Sequence, residues 1–285
     1  MGYNTPNSGD WEGELPMSGL AIRYWGVRGS VPMPGPGTVR YGGNTSCVEV
    51  RTPRGRVIID AGTGIIPLGR LMTQPEEFGL VLTHLHWDHI QGFPFFLPNY
   101  RKGHTIHVYS GHKADVSLES VLKGQMQEPN FPVNLGGLPA TLTFNEVPKG
   151  ESFSVPGARI STVKLNHPNE ATGVRFDVNG RRLVHLTDHE HTPEYEDSVI
   201  SFCEGADLLS LDTMYTPEEY EKHVGWGHSS WLHACHIAAA ARVKQLVLFH
   251  HDPNHDDEFM DRVADTARRE FANTVIAREG LDLEL

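Results

Sequence analysis

The sequence is poor in cysteine. Cys47, Cys203 and Cys235 are the only three in 285 residues, they lie far apart, and no CxxC pair occurs. A scattered, odd-numbered set argues against a disulfide framework or a thiolate zinc site and leaves buried structural thiols as the expectation. Positive charge is also short: 24 Lys and Arg stand against 36 Asp and Glu, a formal net charge of -12. That disfavours broad binding of a phosphate backbone, which needs a basic face, although a small anion can still be held at a local positive site. No apolar stretch reaches ~18 residues, so no membrane span is expected. The opening "MGYNTPNSGDWEGELPMSG" has neither the charged start nor the apolar centre of a secretory leader. Its "MG" is a weak myristoylation cue that the next residues do not complete. A soluble, cytoplasmic chain is the expectation.

Residues 1–18 are polar and punctuated by Gly and Pro, and form the expected tail; residues 19–285 are expected to form a single domain. Glycine (29) and proline (19) are plentiful, and the stretch 29–44 is too rich in both for regular structure. Short β-branched runs bounded by turn residues predict strands at "LAIRYWG", "CVEVRT", "RVIIDAG", "GLVLT", "TIHVYS" and "ARISTVKLNH". "GVRFDVNGRRLVHLTD" predicts a hairpin turning at Asn179-Gly180. "ADLLSLDTMY" and "QLVLFHHD" predict further strands. Helices are expected over 112–125, near 216–223 behind a Thr216 cap, over "SSWLHACHIAAAARV" behind Ser229 or Ser230, and over 256–271. Strands dominate the first two-thirds, and no internal repeat is evident. The pattern predicts a two-sheet α/β sandwich rather than a βαβαβ alternation.

Against these scarcities stands histidine. The chain has 17, roughly two to three times ordinary usage. Three of them crowd into "THLHWDHIQG" (83–92), directly after the apolar run "FGLVLT". His84, His86, Asp88 and His89 follow a predicted strand and can converge from one tight loop. Nitrogen and carboxylate donors without thiolates suit zinc, manganese or iron. For this composition, chance places H-x-H-x-D-H somewhere in the chain roughly a few times in a thousand.

His84-x-His86-x-Asp88-His89 after a hydrophobic strand resembles the signature of the metallo-β-lactamase superfamily. The resemblance covers most of the chain. It takes in "IIDAGTG" (58–64), "LNHP" (165–168), "LVHLTD" (183–188) and "LVLFHHDP" (246–253). "WGVRGSVP…YGGNTSCVEV" resembles more narrowly the phosphodiesterase and ribonuclease Z branch. The resemblance implies an αββα sandwich, two mixed sheets flanked by helices, with metals at one sheet edge. It also implies two divalent ions, foremost Zn2+ with Mn2+ or Fe as alternatives. One would take His84, His86 and His167 and the other Asp88, His89 and His250, with Asp188 as the bridge. His250 is preferred to its neighbour His251 because it follows Phe249 where the branch places its ligand. Asp60 is expected to orient a ligand histidine rather than to bind metal.

In ribonuclease Z-like proteins an acidic residue pairs with the histidine of a His-Ser-Thr motif, and Asp212 and His228 match those positions. Two departures are visible: Leu211 stands where that family has histidine, and Ser230 where it has threonine. The catalytic residues are therefore expected to be Asp88, Asp212 and His228, with Asp212 keeping His228 a proton donor. A helix-cap role for "GHSS" is the alternative. Among the other histidines, His104, His107, His112, His223 and His255 are expected at the surface, and His185, His233 and His236 partly buried. His189 and His191 are expected near the metals, either in outer contact with them or simply exposed.

The function implied is a dinuclear hydrolase, first of all a phosphodiesterase for a small diester or cyclic nucleotide. The alternatives are a lactonase- or thioesterase-type carbonyl hydrolase and a ribonuclease Z-like endonuclease. A non-enzymatic scaffold is disfavoured by the full ligand set. The expected partner is a small anionic substrate, with a homodimer possible and no nucleic-acid polymer or membrane. Residues 94–104 and 125–140 are expected to rim the pocket.

Overall fold

The computed structural model describes residues 19–111, 116–147 and 150–285. Among them, fourteen strands form two seven-stranded sheets. The first sheet holds β1 (Ala21–Gly26), β2 (Cys47–Thr52), β3 (Gly55–Ile59), β4 (Glu77–Leu82), β5 (Thr105–Gly111) and β6 (Thr141–Val147). The second holds β7 (Ser152–Val155), β8 (Ala158–Leu165), β9 (Ala171–Val178), β10 (Arg181–Leu186), β11 (Leu208–Asp212), β12 (Leu246–Phe249) and β13 (Thr274–Ile276). The last strand, β14 (Asp282–Glu284), returns to pair antiparallel with β1.

Alternation along the strands explains the layering. Ile22 and Tyr24 of β1, Val48 and Val50 of β2, and Val57 and Ile59 of β3 meet Val174, Phe176, Leu183, Val247 and Phe249 between the sheets. The intervening residues point outward: Ile58, Leu80 and Leu82 join a core beneath the helices of the first sheet. Leu209, Leu211, Leu246 and Leu248 join a core beneath the helices of the second. A period of two with both faces apolar makes a sheet that must be covered twice. The covering helices are α1 (Ile65–Leu71), α2 (Trp87–Ile90) and α3 (Leu118–Gln125) on one side. On the other lie α4 (Pro193–Cys203) and, past a short α5 (Pro217–Tyr220) that adds no residue to that core, α6 (Trp231–Ala240) and α7 (Asp257–Glu270). The result is the expected αββα sandwich. No described helix is long and apolar enough to cross a membrane.

Local chemistry sets several boundaries. Asn179 and Gly180 both take positive φ in the β9–β10 turn. Thr216 and Glu219 close a reciprocal capping box on α5, Ser230 caps α6 and Asp256 caps α7. Of the two serines considered for α6, Ser229 is engaged elsewhere. α3 starts at Leu118, later than the expected 112, because Ser117 caps it; residues 112–115, with His112, lie outside the described residues, as does the 1–18 tail. Three helices escape the sequence reading, α1, the single-turn α2 within the expected loop, and α4. The last starts on the Thr192-Pro193 pair with Glu194 and Glu196 in its first turn, a start signal that was there to be read.

Parallel pairing of β3-β4-β5-β6 and of β10-β11-β12-β13 brings the C-terminal ends of these strands to one edge. β8 runs the same way as β10, since each is antiparallel to β9. The loops leaving β3, β4, β8, β10, β11 and β12 therefore open at the same edge of the sandwich.

Candidate metal centre

Those six loops carry Asp60, the 83–90 segment, His167, Asp188, Asp212 and His250 respectively. Three donor groups form among the described residues; the third joins Asp212 and His228 to Asp188 and His250, and the other two make up the metal-facing cluster. In the first, single ligand atoms of His84, His86 and His167 lie within 4.8 Å of one another; in the second, so do those of Asp88, His89, Asp188 and His250. Asp188 spans both. Its Oδ2 is 3.5 Å from His84 Nε2 and from His167 Nε2, while its Oδ1 is 3.2 Å from His89 Nε2 and from His250 Nε2. Asp88 Oδ2 lies 3.2 Å from His89 Nε2 and 3.3 Å from His250 Nε2.

The arrangement fits a pair of divalent cations. His84 Nε2 and His89 Nε2 are buried without a hydrogen-bond partner, although each faces this cluster. Buried polar atoms in that condition are costly unless something satisfies them. His86 Nδ1 and His167 Nε2 approach to 3.1 Å, two imidazole nitrogens aimed at one place. Nitrogen and carboxylate donors of this number suit a borderline cation such as zinc.

Three of the rings are held through their other nitrogen. His89 Nδ1 donates to Asp60 Oδ2 at 2.7 Å. Asp60 also accepts from Thr83 N and Thr83 Oγ1, both at 2.9 Å, and from Ser46 Oγ at 2.9 Å. His167 Nδ1 donates to the Gly227 carbonyl at 2.8 Å, and the Asn169 amide lies 3.2 Å from His86 Nε2. Asp88 Oδ2 accepts from the Ser30 backbone N–H at 2.8 Å. Such outer contacts fix ring orientation and tautomer. The backbone is bent to achieve it: Asp60, Asp188 and His250 have φ of 62°, 56° and 63°. This left-handed region costs a non-glycine residue roughly 1–2 kcal/mol. Gly29 must be glycine here, since a Cβ would sit 2.7 Å from the His250 ring.

Charge is concentrated in the cluster. Burial opposes ionisation of Asp88 and Asp188, yet the surrounding imidazoles hold both well below the usual carboxylate range. Burial holds His84 well below its ordinary value. It also opposes the charge on His89, but there Asp188, Asp88 and Asp60 prevail and raise it well above.

The adjacent His250 and His251 separate. His250 enters the cluster, whereas His251 faces away, with Nε2 2.8 Å from the Ala277 carbonyl and burial driving its pKa down to about 3. Asp212 and His228 are brought together. His228 Nδ1 donates to Asp212 Oδ2 at 2.7 Å, and Asp212 is fully buried and also accepts from the backbone of His189 and Met214. Burial lowers the His228 pKa, but the Asp212 charge and hydrogen bond outweigh it and raise it to about 9. Its ring lies 5.0 Å from that of His250 and 5.1 Å from that of His167, at the seam between the two donor groups.

Several expectations need correction. His104 and His255 are buried, not superficial. His104 is covered at the turn before β5, where its carbonyl accepts from Thr141 N; His255 stacks on Phe259 and meets Glu219 Oε1 at 3.0 Å. His236 is exposed on α6, and His185 is fully buried rather than partly so. His189 is buried, accepts from Asn166 N, and burial lowers its pKa to about 4. A cavity of about 250 Å³ opens beside His84 and His86, lined also by Leu85, Ser110, Val116, Val121, Asn169 and Glu170. None of its described walls comes from 94–104 or 125–140, because Phe96, Met126 and Leu135 are drawn into the outer core.

Fold and site define a class, and comparison with known proteins agrees. The β-lactamase superfamily domain model matches residues 55–251, and the chain belongs to that superfamily as one of its metal-dependent hydrolases. Ribonuclease Z of Natronomonas pharaonis is 23% identical over 308 residues, covering 87% of this chain and 92% of that protein. Among solved structures, the metallo-β-lactamase fold protein YhfI from Bacillus subtilis superposes with a TM-score of 0.70 at 20% identity, covering 93% of this chain and 99% of that one. A diphosphatase from the PhnP family gives 0.69 at 22%, covering 93% and 98%.

Proposed function

We propose that this protein, acting as one domain over residues 19–285, is a dinuclear phosphodiesterase for a small anionic diester, cyclic nucleotides included. The observation that carries the reading is the Asp212–His228 pair at the seam of two donor groups joined by one carboxylate. Diester cleavage requires charge beside the phosphoryl oxygens and a proton for the departing oxygen. Two divalent ions, zinc foremost, would when bound supply Lewis-acid charge and an activated water.

The chain's own residues do the rest. His84, His86 and His167 would hold one ion, Asp88, His89 and His250 the other, with Asp188 shared. Asp60 keeps Nε2 of His89 turned inward, and Asp88 is steadied by the Ser30 N–H. Asp212 occupies His228 Nδ1, which leaves Nε2 as the nitrogen that gives up a proton to the leaving group. The names of relatives, a ribonuclease and a diphosphatase, belong to phosphoryl chemistry. The net charge of -12 favours a small substrate over folded RNA. The ribonuclease Z relatives keep an RNA substrate as the second reading.

The test is a substrate panel on metal-reconstituted protein: bis(p-nitrophenyl) phosphate, cyclic nucleotides, lactones, thioesters and precursor tRNA at moderate salt. Metal-dependent turnover of diesters is expected. A much higher kcat/KM on lactones or thioesters overturns the reading, and efficient tRNA cleavage replaces it with the second.

A further inference from the structure

Glu190 lies two residues beyond Asp188 and is buried, at 4% exposure. It has no Lys or Arg among its hydrogen-bond partners. Its carboxylate instead receives three donors from one segment: Gly225 N at 2.7 Å and Tyr220 Oη at 3.1 Å on Oε1, and Gly227 N at 2.8 Å on Oε2. The segment needs such an anchor. Val224 and Trp226 are 65% and 62% exposed, so little apolar burial holds it, and Gly225 and Gly227 both take φ near +90°. Besides Glu190, its ties include the His223 ring stacked on Tyr215, the Tyr220 ring edge-on to His233 and the Gly227 carbonyl on His167 Nδ1. Gly227 is confined there, since a Cβ would lie 2.3 Å from that same Nδ1. The next residue is His228. On its far side the attachment continues: His191 N donates to Ser229 Oγ, and Ser229 Oγ donates to the His189 carbonyl.

We propose that Glu190 is a positioning residue, a carboxylate clamp that sets the Gly225–Gly227 turn and thereby the register of His228 over the reacting centre. The clamp rests on the reading of His228 as the proton donor. Ionised, a carboxylate only accepts, and both of its oxygens are used by backbone N–H groups. Glutamine has the same shape, but its amide would set an NH2 against one of those N–H donors. One bond is lost and two donors collide.

The experiment compares Glu190→Gln, His228→Ala and the double variant on two diesters, one with an alkoxide leaving group and one with p-nitrophenolate. Glu190→Gln is expected to lower kcat on the alkoxide diester by about 10- to 100-fold, the usual scale for a supporting contact. With metal supplied to saturation, KM and turnover of the p-nitrophenyl diester should stay close to wild type; because the Gly227 carbonyl also holds His167, some loss of metal affinity is expected. In the His228→Ala background it should add no further loss. Amide hydrogen exchange should quicken at residues 221–228 and stay unchanged in the strands. If Glu190→Gln does not fold, Tyr220→Phe removes one of the three donors at a half-buried position and should show the same selectivity at smaller amplitude. A loss shared equally by both diesters, or one that adds fully to His228→Ala, overturns the clamp. If His228→Ala itself shows no dependence on the leaving group, the proton-donor reading fails instead.

Discussion

Replacing His228 by alanine tests the chemistry at its most exposed point. The imidazole is tied to a buried carboxylate at 2.7 Å and its pKa is raised to about 9, so near neutral pH it carries the proton it is proposed to give. General-acid help of this kind is worth ~10²–10⁴ in rate, or roughly 3–5 kcal/mol of barrier. The full amount is needed only when the leaving oxygen is a poor one. His228→Ala should therefore lower kcat/KM by about 10²–10⁴ on a cyclic nucleotide, whose ribose oxygen departs as an alkoxide. The p-nitrophenyl diester should be harmed far less. Steady-state kinetics on both, with elemental analysis of each preparation, gives the answer. The pH profile adds a sign. A raised acid stays protonated up to its pKa, so activity falls on the alkaline side. Asp188 and Asp88 contribute to the elevation, and bound cations would offset them, which places that limb below 9. Asp212→Asn removes the main upward influence and should move it lower still. Equal losses on both substrates with metals retained would refute proton donation, and loss of a metal would make His228 a ligand.

Other expected outcomes rest on separate contacts. Metal-replete protein should approach two ions per chain by elemental analysis, and a lasting value of one after reconstitution would sink the dinuclear arrangement. Asp188→Asn should abolish activity where His191→Ala, at a half-buried ring stacked on His233, leaves most of it. Asp60→Asn takes the charge from behind His89 and should weaken metal binding about 10- to 100-fold, read by competition with a chelator. His185, fully buried, has its pKa lowered by burial to about 4. The unfolded chain takes that proton near pH 6.5 and the folded one does not, so stability present above 6.5 is lost as pH falls towards 4. At pH 5 the deficit is about 2 kcal/mol, and urea midpoints of His185→Leu should fall less steeply with acid than those of wild type.

What the sequence discloses and what it hides follow a physical rule. Four of the donors sit within six residues of one loop, so their proximity is local and survives in one dimension. His167, Asp188 and His250 each end a strand of the second sheet, and only resemblance, not spacing, links them to that loop. The layered fold was legible because period-two burial repeats over many strands, whereas the half-exposed edge strands β6 and β7 and the three-residue strands β13 and β14, all unread, offer too weak or too short a pattern. Glu190 and Ser30 were invisible for a different reason. Their partners are backbone groups, or act through backbone groups, and a main-chain N–H has no letter in the sequence. Of the histidines placed wrongly, His104 is covered beside β6 and His255 meets Glu219, contacts that are distant in sequence.

The two oxygens of Asp188 look in opposite directions, and Thr187 Oγ1 donates to Oδ1 at 2.7 Å while φ is held at 56°. A carboxylate fixed in this way cannot serve one side without being set for the other. Each donor group would thus lean on the same anchor, and neither side is complete without it. Asp188→Asn should then weaken metal binding at both sides together, where a change confined to His84 weakens one.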